Sequence, residues 1–217
     1  MNEEVSERIL RIRELFERHA ERYDGWYERS ENIGVFKEEV NTLKLFRKGG
    51  LALEIGVGTG RFAVELGIKV GVDVSLNMLR MAMRRGIEVL LADACHVPFK
   101  DEVFDEAYMI FTICFLHDPL CALKEVKRVL KSGGRLVIAF ISRTSPLGRK
   151  YMEKGRRGHV FYQNAKFFNP AEIEGMLRRE GFIIGRIYSS LGSRPGLLTP
   201  GCPEDHSFCC IEGLKDY

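Results

Sequence analysis

Apolar residues in the first fifty positions recur at intervals of three and four. Val5, Ile9, Ile12 and Phe16 fall on one stripe with Arg and Glu between them, which predicts an amphipathic helix over 5–19. After the aromatic cluster Tyr23-Asp24-Gly25-Trp26-Tyr27, the positions Phe36, Val40, Leu43 and Phe46 repeat that spacing and predict a second helix. Lys48-Gly49-Gly50 ends it, as basic residues and glycine commonly do. From residue 51 the period changes. Short apolar runs at 51–55, 69–73, 87–92, 104–111 and 135–141 read as strands, with helices at 60–67, 75–85 and 118–131 between them. Strands alternating with helices of this length mean βαβ units and a mostly parallel sheet.

The alternation pauses over 143–168, a stretch rich in Arg, Lys, Tyr and Phe. Asn169-Pro170-Ala171-Glu172 then has the cap, first-turn proline and third-position acid of a helix start. That helix ends at Gly181, and 182–190 and 207–213 read as the last strands. The expectation is an α/β chain with a seven-stranded, mostly parallel sheet.

Composition narrows the class without naming a function. The chain has 217 residues, 45% of them hydrophobic and 29% charged, enough for one domain with length over for a lid. A net charge of +3 is too small to point to nucleic acid. No run approaches the roughly 18 apolar residues of a membrane span. The charged opening Met-Asn-Glu-Glu is unlike a secretory signal, so the expected address is the cytoplasm. Six cysteines without a CxxC pair read as buried or half-buried thiols in such a compartment.

The chemistry concentrates in Leu53-Glu54-Ile55-Gly56-Val57-Gly58-Thr59-Gly60-Arg61, a glycine-rich turn between a strand and a helix. The glycines run GxGxG, and Arg61 stands where a dinucleotide fingerprint would have its third glycine. Glu54 precedes the loop by two residues. A carboxylate there serves a pyrophosphate poorly and a ligand with ammonium and sulfonium charges well. The next strand ends in Asp73, 19 residues on, placed to accept ribose hydroxyls. The one after closes in Asp93, placed to accept from an adenine amino group. All three acids fall at carboxyl ends of successive strands, where open α/β sheets bind ligands.

On these elements the chain resembles the class I S-adenosylmethionine-dependent methyltransferases over about residues 20 to 190. Further support comes from Val97-Pro98-Phe99, Phe104-Asp105 and the stretch Glu125-Val126-Lys127-Arg128-Val129-Leu130-Lys131-Ser132-Gly133-Gly134. The last often has Pro where this chain has Ser132. Tyr23-Asp24-Gly25-Trp26 is similar to an element of the ubiquinone and menaquinone biosynthesis branch. The resemblance implies a Rossmann-like fold with helices on both faces of the sheet. Residues 1–48 would form N-terminal helices and a lid, and 49–217 a core with an acceptor-binding insertion at about 143–168. Its cofactor would be S-adenosylmethionine, held at the methionine end by Glu54 and the loop Gly56, Val57, Gly58, Thr59 and Gly60. Asp73 would take the ribose, Asp93 and Ala94 the adenine, Val74 and Met78 the ring faces, and Phe111 or Thr112 the wall below the sulfonium. The partner would be a small-molecule methyl acceptor, with neither membrane nor nucleic acid involved.

Other residues have two readings. His117 is a catalytic base facing the acceptor or a polar residue beside the helix cap Asp118. Tyr23, Trp26 and Tyr27 form a lid over both ligands, freed by Gly25, or a staple for the N-terminal helices. His159 and Tyr162, with Phe161, lie where the family inserts acceptor-binding elements. The basic run Arg143, Arg149, Lys150, Lys154, Arg156 and Arg157 is a solvated face or an anion site. Cys202, His206, Cys209 and Cys210 have no common zinc spacing, and adjacent Cys209 and Cys210 on a strand point apart, so no metal is expected. Three rival functions remain at this stage. One is a methyltransferase acting on RNA or protein, although Phe111-Thr112-Ile113-Cys114 lacks the Asn/Asp-Pro-Pro-Tyr pattern. The others are a nicotinamide-dependent oxidoreductase and a catalytically silent cofactor-binding protein.

Overall fold

The computed structural model describes residues 3–194 and 196–216, and for residues 3–6 the backbone alone, so the side chain of Val5 in the predicted stripe lies outside the described residues. Helix α1 (Glu3–Trp26) is longer than the apolar stripe predicted. It takes in the aromatic cluster as far as Trp26, because Asp24 finds buried partners and Gly25 meets no neighbour that would unwind it, and Tyr27 follows in the turn. Its break falls earlier, at His19, where φ −121° and ψ 19° bend the helix axis. Helix α2 (Ser30–Lys44) buries Val40 and Leu43, as its period requires.

The core then alternates as β1 (Ala52–Ile55), α3 (Arg61–Leu66), β2 (Val70–Asp73), α4 (Leu76–Arg84), β3 (Glu88–Leu91), β4 (Phe104–Ile110), α5 (Pro119–Val129) and β5 (Leu130–Ile141). There follow α6 (Pro146–Arg156), α7 (Pro170–Arg179), β6 (Phe182–Ser190), β7 (Thr199–Pro200) and β8 (Phe208–Lys215). The strands make one sheet in the order β3-β2-β1-β4-β5-β8-β6-β7. It has eight strands where the sequence predicted seven. The extra one is the two-residue β7, paired at the edge through Tyr188–Pro200 and Ser189–Thr199, too short to leave a periodic signal. From β3 to β5 all neighbours are parallel, and β8 inserts antiparallel between β5 and β6.

Side chains alternate across this sheet into two cores. Leu53, Ile55, Leu136 and Ile138 pack with α5 and α7 residues such as Leu123 and Ile173. Ala52, Val137 and Ala139 pack with Leu43, Phe62 and Leu79 from α2, α3 and α4 on the other face. Helices therefore cover both faces of the sheet. The same alternation sends Cys209 into the first core and Cys210 into the second. Strand β5 starts earlier than predicted, because the Lys-Ser-Gly-Gly turn is absorbed as a bulge. From Phe104 to Glu106 β4 advances two residues while β5 advances five, Leu130 to Arg135. Among the described residues no helix is long and apolar enough to cross a membrane.

The chain builds β1, β2 and β3 in one direction and then crosses back to lay β4 on the other side of β1. The carboxyl ends of β1 and β4 flank that switch point, where open α/β sheets form a crevice. Helix α1 is fastened over it. Asp24, 4% exposed, accepts from Arg61 Nε at 2.7 Å, Arg61 Nη2 at 2.6 Å and Arg85 Nη2 at 2.9 Å. Arg85 also donates to the Thr59 carbonyl at 2.6 Å, tying the clamp to the glycine loop. Burial by itself would raise the Asp24 pKa, but the hydrogen bonds from Arg61 and Arg85 outweigh it and hold the group at about 2.

Replacing Asp24 by Ala leaves two guanidinium groups without their shared counter-charge, and a stability loss of about 2–4 kcal/mol is expected in urea unfolding. Because the folded pKa is depressed, this contribution is present above pH 4 and fades as pH falls toward 2. Urea midpoints measured across that window should converge for wild type and Asp24→Ala at the acid end.

Candidate functional site

The glycine loop turns sharply off β1 because Gly56 sits at φ +70°, a conformation that side chains strain to adopt. A Cβ there would meet Thr112 Oγ1 at 2.4 Å, and that hydroxyl instead donates to the Ile55 carbonyl at 3.0 Å. Gly56 N and Val57 N both donate to the Val72 carbonyl, at 2.8 and 2.9 Å, which fixes the loop against the end of β2. Asp73 grips it from there. Its Oδ2 accepts from Gly58 N at 2.9 Å and its Oδ1 from Ser75 N at 2.9 Å. Each oxygen keeps a lone pair for a ligand.

The acids at the strand tips are poorly solvated. Glu54 is 2% exposed and its Oε2 has no hydrogen-bond partner. Burial, and then the charge of Asp73, push its pKa well above the usual carboxylate range. Burial raises Asp73 to about 6 against the backbone bonds that pull it down. Asp93 Oδ1 accepts from Cys95 N at 2.8 Å, which holds it in a turn after β3.

These tips border a cavity of about 90 Å³. Of the residues singled out from sequence, Gly56, Gly58, Asp73, Val74, Met78, Asp93, Ala94, Phe111, Thr112 and His117 line it. Four others stand behind the lining. Val57 is buried under the loop, Gly60 starts α3 against Ala82, and Thr59 gives its carbonyl to Arg85. Glu54 lies beneath the loop. The lining that sequence reasoning missed comes from α1, whose Ile9, Ile12 and Phe16 close the cavity from above. The stripe itself was visible in the sequence, but what it packs against was not. Glu17 secures this part of α1, its Oε2 accepting from Ser75 Oγ at 2.7 Å and Asn77 N at 3.1 Å at the start of α4.

A second cavity, of about 250 Å³, opens beside the first and shares Tyr23, Phe111 and Phe115 with it. Phe111 at this junction has φ +56°, a left-handed backbone rare outside glycine, held by its N–H bond to the Ala139 carbonyl at 2.9 Å. Tyr23, Trp26, Tyr27, His159 and Tyr162, drawn from opposite ends of the sequence, all line this second space. The Tyr23 and Tyr27 hydroxyls lie 3.2 Å apart, and Tyr162 stacks between Tyr151 and His159 with centroids 4.2 Å from each. Burial, then the charges of Arg22 and Lys154, lower the His159 pKa. Glu39 from α2 also lines this space. In sequence, Glu38-Glu39 reads as a solvated helix face, and only the packing of α2 on α3 and the strands β6 and β8 turns Glu39 inward.

His117 lines the first cavity and not the second, with its Nε2 3.9 Å from Cys95 Sγ. Ligand atoms of Asp93, Cys95 and His117 lie within 4.8 Å of one another. Burial pushes the Cys95 thiol upward, away from the thiolate that a metal takes. In the tail, His206 Nδ1 pairs with Ser189 Oγ at 3.1 Å. The basic run is mostly engaged at the surface, with Arg143 on Glu172 and Arg156 and Arg157 on Glu153, while Lys154 reaches the rim of the second cavity.

Comparison with known proteins follows the same outline. Residues 53–138 match the family model described as a methyltransferase domain. The chain is 43% identical over 168 residues to an uncharacterised protein of Methanocaldococcus jannaschii, covering 77% of this chain and 80% of that one. It is 28% identical to a demethylmenaquinone methyltransferase of Staphylococcus aureus, over 83% of this chain and 88% of the relative. A crystal structure from Thermotoga maritima superposes with a TM-score of 0.88 at 38% identity, covering 94% of this chain and all of that one. It is described as a "SAM-dependent methyltransferase, possible histamine N-methyltransferase". A switch-point crevice, a glycine loop and acids at successive strand tips agree with these likenesses, and the chain belongs to the class I S-adenosylmethionine-dependent methyltransferases, enzymes that take S-adenosylmethionine as cofactor.

Proposed function

We propose that the enzyme methylates a small molecule held in the second cavity, by in-line transfer from S-adenosylmethionine held in the first. The observation that carries this reading is the pair of joined cavities meeting at Tyr23, Phe111 and Phe115, closed over by α1. A space of about 250 Å³ lined by aromatic rings suits a compact organic acceptor. The N-terminal helices serve as the lid, and residues 143–168 supply the far wall of the acceptor site through Tyr151, His159 and Tyr162.

The residues fit the cofactor. Glu54 stands behind the lining, and the charge of its partnerless Oε2 suits the ammonium of the methionine moiety. Gly56 and Gly58 give that moiety backbone to lie against, while Val57, Thr59 and Gly60 support the turn from behind. Asp73 has lone pairs left for the ribose, Asp93 and Ala94 meet the adenine, and Val74 and Met78 flank the ring. Phe111 and Thr112 form the wall below the sulfonium. When bound, S-adenosylmethionine supplies a methyl group that its sulfonium already makes electrophilic. The chain's share of the reaction is alignment and exclusion of water. His117, set against Asp93 in the first cavity, serves the adenosine side in this reading more readily than as a base toward the acceptor.

Two outcomes test this assignment. Gly58→Arg places a long side chain at φ +53° beside the loop, and Asp73→Ala removes the loop's anchor and the ribose contact. Each should reduce S-adenosylmethionine binding in calorimetry at least a hundredfold, and normal binding by both would sink the assignment. The second test is pH. Asp73 titrates at about 6 and Glu54 higher than usual, and ionisation lets Glu54 offset the ammonium and Asp73 accept from the ribose hydroxyls. Binding should therefore release protons and weaken as pH falls from 8 to 5.5, by up to about tenfold per unit for each linked proton. An affinity independent of pH over that range would count against the acids as ligands.

A further inference from the structure

Glu39 is unused by anything described so far. It is 3% exposed, it lines the second cavity, and its Oε2 has no hydrogen-bond partner. A carboxylate left so is strongly unfavourable when ionised, which proteins tolerate where a ligand completes the pairing. Its surroundings are aromatic. Tyr23 faces it from α1, Tyr27 from the turn just after that helix, Tyr151 from α6 and Tyr162 from the loop that follows, and all four feel its charge. Aromatic faces attract cations and leave anions unsupported.

Resting on the methyltransferase reading above, we infer that the acceptor is a monoamine whose nitrogen is bound by the Glu39 carboxylate within this aromatic box. The charge distribution sets the valence. Arg22, Arg29 and Lys154 line the same cavity with exposed side chains, so a second positive charge on the ligand would meet repulsion there. A polyamine is therefore disfavoured, and so is a phenolate or other anion, which the aromatic faces leave unsupported.

The empty site stores a proton. Burial and the neighbouring Glu38 push Glu39 well above the ordinary carboxylate range. The other titratable groups facing it stay neutral near pH 7. The four tyrosines and the Cys210 thiol of β8 are all raised, Cys114 is pushed up to about 12, and His159 is lowered. Entry of an ammonium ionises Glu39, whose own proton leaves to solvent. For transfer the ammonium hands one proton back to the Glu39 carboxylate. The freed nitrogen lone pair forms the N–C bond as the sulfonium S–C bond breaks, and S-adenosylhomocysteine departs with that electron pair.

Calorimetry on the full chain saturated with S-adenosylhomocysteine tests this with phenethylamine, tyramine and tryptamine, and with spermidine, hydroquinone and 3-phenylpropanol as contrasts. The monoamines should bind and the contrasts should bind more weakly. Glu39→Gln should weaken the monoamines about thirtyfold or more while S-adenosylhomocysteine binds as before. In wild type, monoamine binding between pH 6 and 8 should release protons, seen as a dependence of the heat on buffer ionisation enthalpy. This second measurement decides the matter if Glu39→Gln does not fold. Tighter binding of hydroquinone or phenylpropanol, absence of proton release, or an unaffected Glu39→Gln would overturn the amine assignment with the methyltransferase reading intact. Failure of wild type to bind S-adenosylhomocysteine would instead strike at that reading.

Discussion

Glu54 is buried and Asp73 half-buried close by, and the charges that bear on them, Asp73 on Glu54 and Glu17 on Asp73, are negative. A site with that electrostatic deficit is unfavourable when its acids are ionised, and the chain tolerates it through backbone donors to Asp73 and through retained protons. Much of the surrounding architecture follows from keeping those acids dry and in place. The parallel strands align their tips, the switch between β1 and β4 opens the crevice, and Gly56 and Gly71 let the loop lie close. A Cβ at Gly71 would meet Val57 at 2.6 Å, so β2 makes room for the loop by having no side chain there.

Helix α1 finishes the enclosure with two kinds of contact. Apolar residues at the front of the helix cover the first cavity, and an aromatic group at its end walls the second. Arg61 carries special weight in this arrangement. Where a dinucleotide-binding loop would have glycine for close helix packing, this chain has a cation that reaches back to Asp24. The residue that distinguishes the loop from a dinucleotide fingerprint is thus also the one that fastens the covering helix.

The sheet, its parallel sense and the acid at each tip were legible because β1 to β4 are short, apolar and punctuated by glycine, so period and spacing carry the signal. The place of β8 between β5 and β6 was not, since alternation along a strand says nothing of its neighbours. The site followed the same division. Glycines and acids announce themselves locally, whereas the covering residues Ile9, Ile12 and Phe16 look like any amphipathic stripe until their partner is known. Glu39 was hidden more deeply. Its neighbours Glu38 and Lys37 mark a polar helix face, and only tertiary packing converts one position of that face into an interior. Gly25, expected to loosen its segment, lies within a helix because the pairing of Asp24 with Arg61 and Arg85 outweighs glycine's weak propensity.

The bend at His19 divides α1 into spans of unequal anchorage. Toward the amino end, Glu17 holds on through single hydrogen bonds with a serine, an asparagine side chain and a backbone amide, and among the described residues no cation pairs with it there. Beyond the bend, Asp24 is locked by two arginines in a largely dehydrated clamp. Local opening begins where the contacts are weakest. The roof of the first cavity therefore lifts before the wall of the second, and the two spaces need not open together.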